Sequence, residues 1–301
     1  MNSLKVRNYA GRPIYTVLGF IWLVWAAVVC LLGFWQFALA VTFIFFLGLL
    51  DDLYGTGQSK GFRGHLRALK KGQVTTGFIK LFGISLVSFV WALFEVGQSA
   101  ITSSSSLIEG RYPFLALASS RVTLASIAVA LIAGAAIALT SNFMNLMDLR
   151  PGRAIKGYLA LVMVWGLLWS GIGSYAEVSR SAMDLPGLFF DSVTAVTTFL
   201  YSILFVLAPM LLVLPFDLRE KAMLGDGGAN AAGFVAGALI VTTLPIWALV
   251  AYLLLIFALN IASEKISYSK AIERNSLLRR IDNIGRLEND EQGQQKRATP
   301  S

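Results

Sequence analysis

Two adjacent carboxylates, Asp51 and Asp52, close a long apolar run. At a helix C-terminus the macrodipole disfavours negative charge by about 0.3–1 kcal/mol per group, and the two acids also repel each other. Such a pair asks for a compensating partner such as a cation; a solvated pair among lipid headgroups is the inexpensive alternative. A second set, Asn142, Asn145 and Asp148, ends another apolar run. Its spacing places amide and carboxylate groups along one drifting helical stripe. Arg150 and Arg153 flank Pro151-Gly152 just beyond it, a helix stop with two guanidinium groups suited to phosphate. The plainer reading is a polar cap followed by ordinary loop arginines. The third set is Leu224-Gly225-Asp226-Gly227-Gly228-Ala229-Asn230. Glycines ahead of a helix let backbone approach a ligand, and the free N–H groups of a helix start suit an anion. A carboxylate there would repel phosphate unless a divalent cation joined them. A flexible turn between helices is the bland alternative.

Residues 58–80 add Lys60, Arg63, His65, Arg67, Lys70, Lys71 and Lys80, with Phe62, Leu66 and Leu69 at helical spacing. This reads as a basic amphipathic segment at a membrane interface, attracting phosphate or serving only as an anchor. His65 reads as structural. With one cysteine (Cys30) and one histidine in the chain, no Cys/His zinc or iron–sulfur site can be built. Oxygen ligands point to Mg2+, with Mn2+ as an alternative, held by one or two carboxylates and substrate phosphates. The implied substrate is a diphosphate handled at one membrane face.

The elements that must position these groups are membrane spans. Hydrophobic residues make up 56% of the 301 residues and charged residues 14%, which excludes soluble, disordered and disulfide-rich secreted classes. An all-α, polytopic integral membrane protein is expected. About eight spans of the required length fall near 14–32, 34–50, 76–94, 122–141, 157–174, 191–214, 230–243 and 246–263, the last two as a re-entrant or hairpin pair around Pro245. With both termini inside, 22 of the 25 Lys and Arg residues lie on the cytoplasmic side, as the positive-inside rule requires. Arg111, Arg121 and Arg180 remain at the outer side, and Trp35, Trp91, Trp169 and Trp247 form an interfacial belt. The organisation is then a cytoplasmic segment 1–13 and a multi-span domain 14–265 with cytoplasmic loops 51–80, 142–156 and 215–229. A basic amphipathic helix follows at 266–287, on the inner leaflet or packed on the loops, and a disordered tail at 288–301. The outer loops, including the serine run Ser103–Ser106 and residues 175–190, carry no chemistry.

Four stretches in order resemble one family. Asn8-Tyr-Ala-Gly11-Arg12-Pro13-Ile, Leu47-Gly48-Leu-Leu-Asp51-Asp52, Asn142-Phe-Met-Asn145-Leu-Met-Asp148 and Met223-Leu-Gly225-Asp226-Gly-Gly are similar to motifs of the polyprenyl-phosphate N-acetylhexosamine-1-phosphate transferases, glycosyltransferase family 4. The resemblance covers roughly residues 8–265. It implies transfer of a sugar-1-phosphate from a UDP-sugar to undecaprenyl phosphate, with release of UMP, at the inner leaflet of a bacterial plasma membrane during cell-envelope glycan synthesis.

By that resemblance Asp226 is the main Mg2+ ligand, joined by Asp52, and Asp51 and Asp52 position the lipid phosphate or the metal. Asn142, Asn145 and Asp148 line the nucleotide site, with Arg150 and Arg153 beside them, and Lys60 and Lys80 match family lysines. Membrane lipids are the surrounding partners, a homodimer is compatible, and no nucleic acid is expected. The chain departs from the pattern in three places. Only seven residues precede Asn8 where the family has a helix, Pro151 replaces a second carboxylate, and the family's histidine-rich final loop is missing. A phospho-N-acetylmuramoyl-pentapeptide transferase-type enzyme and a non-catalytic membrane scaffold are the alternatives. A transporter fits less well, since the charged groups gather at one face rather than at mid-membrane.

Overall fold

An apolar stretch with few charges satisfies its own backbone by coiling into a helix. The computed structural model describes residues 4–7, 11–55, 61–102, 124–180 and 188–286, and its architecture is helical. In chain order the helices are α1 (Ile21–Leu31), α2 (Trp35–Tyr54), α3 (Gly61–Lys70), α4 (Thr76–Thr102), α5 (Leu124–Met147), α6 (Arg153–Arg180), α7 (Leu188–Leu218), α8 (Gly225–Thr243), α9 (Ile246–Lys265), α10 (Tyr268–Arg274) and α11 (Ser276–Asn283). Each of the eight expected spans overlaps a helix. Four of these, α2, α4, α5 and α9, are long and apolar enough to cross a membrane.

Three expectations change. The first span does not begin at residue 14, because β1 (Lys5–Arg7) and β2 (Pro13–Tyr15) form an antiparallel pair. Pro13 opens its strand, the position where a missing N–H costs least. This hairpin is the one departure from all-α among the described residues. Second, α8 and α9 meet at Leu244-Pro245 but do not pack as a hairpin; each lies against α5. Third, the tail helix expected over 266–287 is broken into α10 and α11 at Asn275, whose side chain accepts from the Leu277 and Leu278 N–H groups. The serine run, Arg111, Arg121 and the tail from 287 onward lie outside the described residues.

The bundle is organised around α8. Sixteen of its nineteen residues are buried, so this helix meets protein on every side. Its Gly and Ala residues permit close approach by neighbouring helices, and it packs on α2, α5 and α6. By contrast α9 buries only Leu249 and Ile256 and leaves Leu254, Leu255 and Phe257 exposed, as a helix facing lipid would. Trp91 belongs to the core, not to an interfacial belt: its ring lies 5.5 Å from Phe37 and 5.7 Å from Phe234, centroid to centroid. Trp35 and Trp247 are exposed.

Polar side chains stitch the helices where apolar surfaces alone would leave register loose. Ser141 donates to the Asn230 carbonyl at 2.8 Å, linking α5 to α8. Asn142 donates to Asn260 Oδ1 at 2.7 Å, and Thr140 Oγ1 lies 2.7 Å from the Tyr252 hydroxyl, linking α5 to α9.

Candidate functional site

The ends of α2, α5 and α7 and the starts of α4, α6 and α8 meet at one end of the bundle, and the three acidic sets meet there with them. Asp51 is in the last turn of α2. Lys80, in the first turns of α4, places its ammonium 2.6 Å from Asp51 Oδ2 and 2.5 Å from Asp226 Oδ2. Thr76, one turn before Lys80, donates to Asp51 Oδ1 at 2.6 Å. The compensating cation that an acidic pair at a helix C-terminus requires is therefore built into the chain for Asp51.

Asp52 is compensated differently. Its Oδ1 accepts from the Asp226 N–H at 3.1 Å and its Oδ2 from the Gly227 N–H at 3.2 Å. A carboxylate at a helix N-terminus satisfies free N–H groups and meets the positive end of the dipole. The acid that is unfavourable for its own helix thus caps the next. Each of its oxygens has a backbone partner, whereas the Asp226 carboxylate, paired through Oδ2 with Lys80, keeps its side chain 32% exposed.

The geometry depends on two glycines. Gly225 has φ +70°, and a Cβ there would stand 2.7 Å from Thr16 Cβ and 2.8 Å from Asp52 Oδ2. A Cβ on Gly48 would stand 2.4 Å from the Asp226 carbonyl oxygen. Gly48 lets α2 and the start of α8 touch through backbone, and Gly225 leaves room for the Thr16 and Asp52 side chains. The N-terminal hairpin holds the same segment from the other side. Tyr15 accepts from the Met223 N–H at 2.9 Å, and the Leu18 N–H donates to the Met223 carbonyl at 3.1 Å. The hairpin was not legible as structure, yet it fixes the strand of chain that delivers Asp226.

The asparagine set divides. Asn142 turns to Asn260 on α9 and serves packing. The Asn145 Oδ1 is buried without a hydrogen-bond partner among the described residues, an acceptor available to a ligand's N–H or O–H. Asp148 follows the end of α5, is buried, and accepts from the Gly225 N–H at 3.0 Å. Burial first, and then the charges of Asp217, Asp226 and Asp52, raise its pKa well above the ordinary carboxylate value.

The arginines expected to hold phosphate are committed elsewhere. Arg153 is buried and makes a two-pronged pair with Asp282 of α11, Nε to Oδ1 and Nη2 to Oδ2, each at 2.9 Å. Its Nη1 donates to Ser269 at 2.9 Å. Arg150 pairs with Glu273 of α10. These contacts correct the expectation: a planar fork that matches phosphate matches a carboxylate equally well. The sequence alone does not say which acid the fold supplies. Lys60 lies outside the described residues, and His65 is structural, its Nδ1 lying 2.7 Å from Thr75 Oγ1 and its pKa lowered chiefly by burial.

Comparisons with family models, with curated proteins and with solved structures return no match to this chain. Among the described residues, no group of three or more His, Cys, Asp or Glu is placed to hold a metal ion. What the end of the bundle does contain is a set of carboxylates, Asp51, Asp52, Asp148 and Asp226, with the Lys80 ammonium pairing Asp51 and Asp226. Mg2+ needs only one or two protein carboxylates when substrate phosphates complete its shell, and the partly exposed carboxylate of Asp226 fits that role.

Thr76, Asn260 and Glu273 entered the network unannounced, as did the partners of Asp217 and Asp282. Thr76 stands one helical turn before Lys80, a spacing that puts both on one face. For the others the partner is distant in sequence and no local pattern marks it.

Proposed function

We propose that the protein is a phosphoglycosyl transferase, moving a sugar-1-phosphate from a UDP-sugar to undecaprenyl phosphate at the inner leaflet of a bacterial plasma membrane. The observation that carries this reading is the convergence of Asp51, Lys80 and Asp226, from three helices, on one point. In the transfer step, an oxygen of the lipid phosphate forms a bond to the sugar-bearing phosphorus. The bond from that phosphorus to the bridging oxygen breaks, and the electron pair leaves with UMP. Phosphoryl transfer of this kind asks for positioning and charge neutralisation more than covalent help.

The chain's residues divide that work. Asp226 would hold Mg2+ at the substrate diphosphate. Lys80 fixes the Asp226 and Asp51 carboxylates and offers positive charge beside the transferring group. Asp52 keeps the first turn of α8 in place, and Asn145 presents a buried acceptor toward the sugar or nucleotide. Mg2+, when bound, neutralises the charge that develops on the leaving UMP. The nucleophile needs no strong base, since a phosphate monoester has its second pKa near ~6. An N-acetylhexosamine is the favoured sugar.

A non-catalytic membrane scaffold is the second reading, favoured by the engagement of Arg150 and Arg153 with the tail. Purified protein with labelled UDP-N-acetylhexosamines or UDP-MurNAc-pentapeptide, undecaprenyl phosphate and Mg2+ separates the two. The transferase yields UMP and labelled lipid, and Asp226→Ala yields neither. A folded wild-type protein that forms no product with any of these donors is a scaffold.

A further inference from the structure

The elbow between α9 and α10 contains an open cleft of about 510 Å3, lined by Lys265, Ile266, Ser267, Lys270, Ala271 and Arg274. Three of the six lining residues are cations and none is an acid. Neither Lys265, Lys270 nor Arg274 has an acidic partner among the described residues. The acid next in line on α10, Glu273, is turned away to Arg150. The elbow is also held in shape. The Tyr268 hydroxyl donates to the Leu259 carbonyl, its ring lies 5.9 Å from Phe143 of α5, and Ser269 accepts from Arg153. Like charges gathered on a fixed scaffold, with no acidic partner among the described residues, repel, so the arrangement suits an anion from outside the chain.

Its surroundings say which anion. α9 is long and apolar enough to cross a bilayer, and Lys265 is its last residue, where the end of such a span meets the lipid headgroups. Ile266, on the cleft wall, is 54% exposed, and Leu277, Leu278 and Ile281 of α11, with Ile284 just beyond it, are exposed apolar side chains nearby in sequence. Arg279 and Arg280 stand among them, also exposed. A free, fully hydrated phosphate gains nothing from such apolar surface, whereas a lipid gains from both the cations and the apolar wall.

We propose that the α9–α10 elbow is a binding site for the headgroup of an anionic phospholipid. The site is distinct from the Asp51–Lys80–Asp226 cluster and does not depend on the transferase reading, only on α9 crossing the bilayer. Because α10 also carries Glu273, lipid bound here holds the helix that pairs with Arg150, two residues beyond Asp148.

The test uses full-chain protein in neutral detergent, titrated with dioctanoyl phosphatidylglycerol, dioctanoyl phosphatidylcholine or inorganic phosphate, with bound molecules counted by native mass spectrometry. Saturable binding of the phosphatidylglycerol and little of the other two is expected. Lys270→Gln/Arg274→Gln weakens it about 30-fold, the loss expected of two cations near an anionic headgroup, and Lys270→Arg/Arg274→Lys restores it. Lys70→Gln/Lys71→Gln, at the end of α3, leaves it unchanged. The single Lys265→Gln, about fivefold weaker, provides an independent arm should the double variant misfold. Undiminished phosphatidylglycerol binding in the elbow variants overturns the proposal. Equal binding of inorganic phosphate overturns the lipid assignment, and equal loss in the α3 variant reduces the site to general charge attraction.

Discussion

Asp52 of α2 caps the helix that carries Asp226: its Oδ1 accepts the Asp226 backbone N–H at 3.1 Å, and its Oδ2 accepts that of Gly227 at 3.2 Å. One carboxylate therefore fixes both the start of α8 and the direction in which the neighbouring carboxylate leaves it. Asp52→Ala removes both acceptors. Thermal unfolding in detergent should show a loss of about 1–3 kcal/mol, with Asp52→Asn recovering part of it through its remaining carbonyl oxygen. An Asp52→Ala protein as stable as wild type would mean that α8 starts without this cap.

Lys80 neutralises two carboxylates at once and is itself buried. Lys80→Met leaves both acids facing each other without a cation. Removing one partner from a buried ion pair costs about 3–5 kcal/mol, and removing an electrostatic stabiliser from the proposed reacting centre should lower turnover about 10²–10³-fold. UMP release and the free energy of unfolding, measured on the same preparation, should fall together. Lys80→Arg, which keeps the charge, should recover stability better than it recovers turnover.

Asp51 organises more than it deprotonates in the proposed reaction. Since the lipid phosphate is already ionised above its second pKa of ~6, Asp51→Asn should lower turnover without moving the alkaline limb of the pH–rate profile. A large alkaline shift would assign Asp51 as a general base instead.

The tail is latched by Asp282. Burial alone would push its pKa up, but the Arg153 hydrogen bonds and charge, with Arg286 and Lys156 adding to them, hold it below the ordinary carboxylate value. A group whose folded pKa is depressed contributes stability above its unfolded pKa and loses it as pH falls through the folded one. Acid should therefore release α11, read as faster proteolysis within 266–286 below the carboxylate range. Asp282→Asn should show that release already at neutral pH and lose the acid transition.

Gly48 faces the Asp226 carbonyl so closely that an added Cβ would stand 2.4 Å from its oxygen. Backbone cannot yield as a flexible side chain can. Gly48→Ala should cost about 1–3 kcal/mol and, by displacing the first turn of α8, reduce UMP release further than the stability loss explains. Unchanged melting and activity would show that α2 and α8 can separate freely.

How much of this was legible before folding depends on the range of the interaction. Helix positions followed from apolar length, and the charges at Asp51, Asp52, Asp148 and Asp226 stood out because each is locally unfavourable or oddly placed. The requirement for a cation beside the acidic pair was readable for the same reason. The errors have a common cause. Arg153 read as a phosphate ligand because a guanidinium presents the same donors to phosphate and to Asp282. Trp91 read as interfacial because its position in the run says nothing of which neighbours surround it. The hairpin of Lys5–Arg7 with Pro13–Tyr15 was invisible because three-residue strands carry almost no periodic signal.

The sequence by itself determined the helical class, the gathering of acids and bases at the ends of apolar runs, and the chemistry open to oxygen ligands without Cys or His. These properties are set by composition and by neighbours within a turn or two. Tertiary structure alone decided which acid receives Lys80, that Asp52 caps α8 rather than standing free, that Asn142 serves α9, and that both loop arginines close on the tail. Those choices join residues 100 or more positions apart in most cases. A long-range pair is selected by the packing of whole helices, and two sequences with the same local pattern can place the same donor against different acceptors.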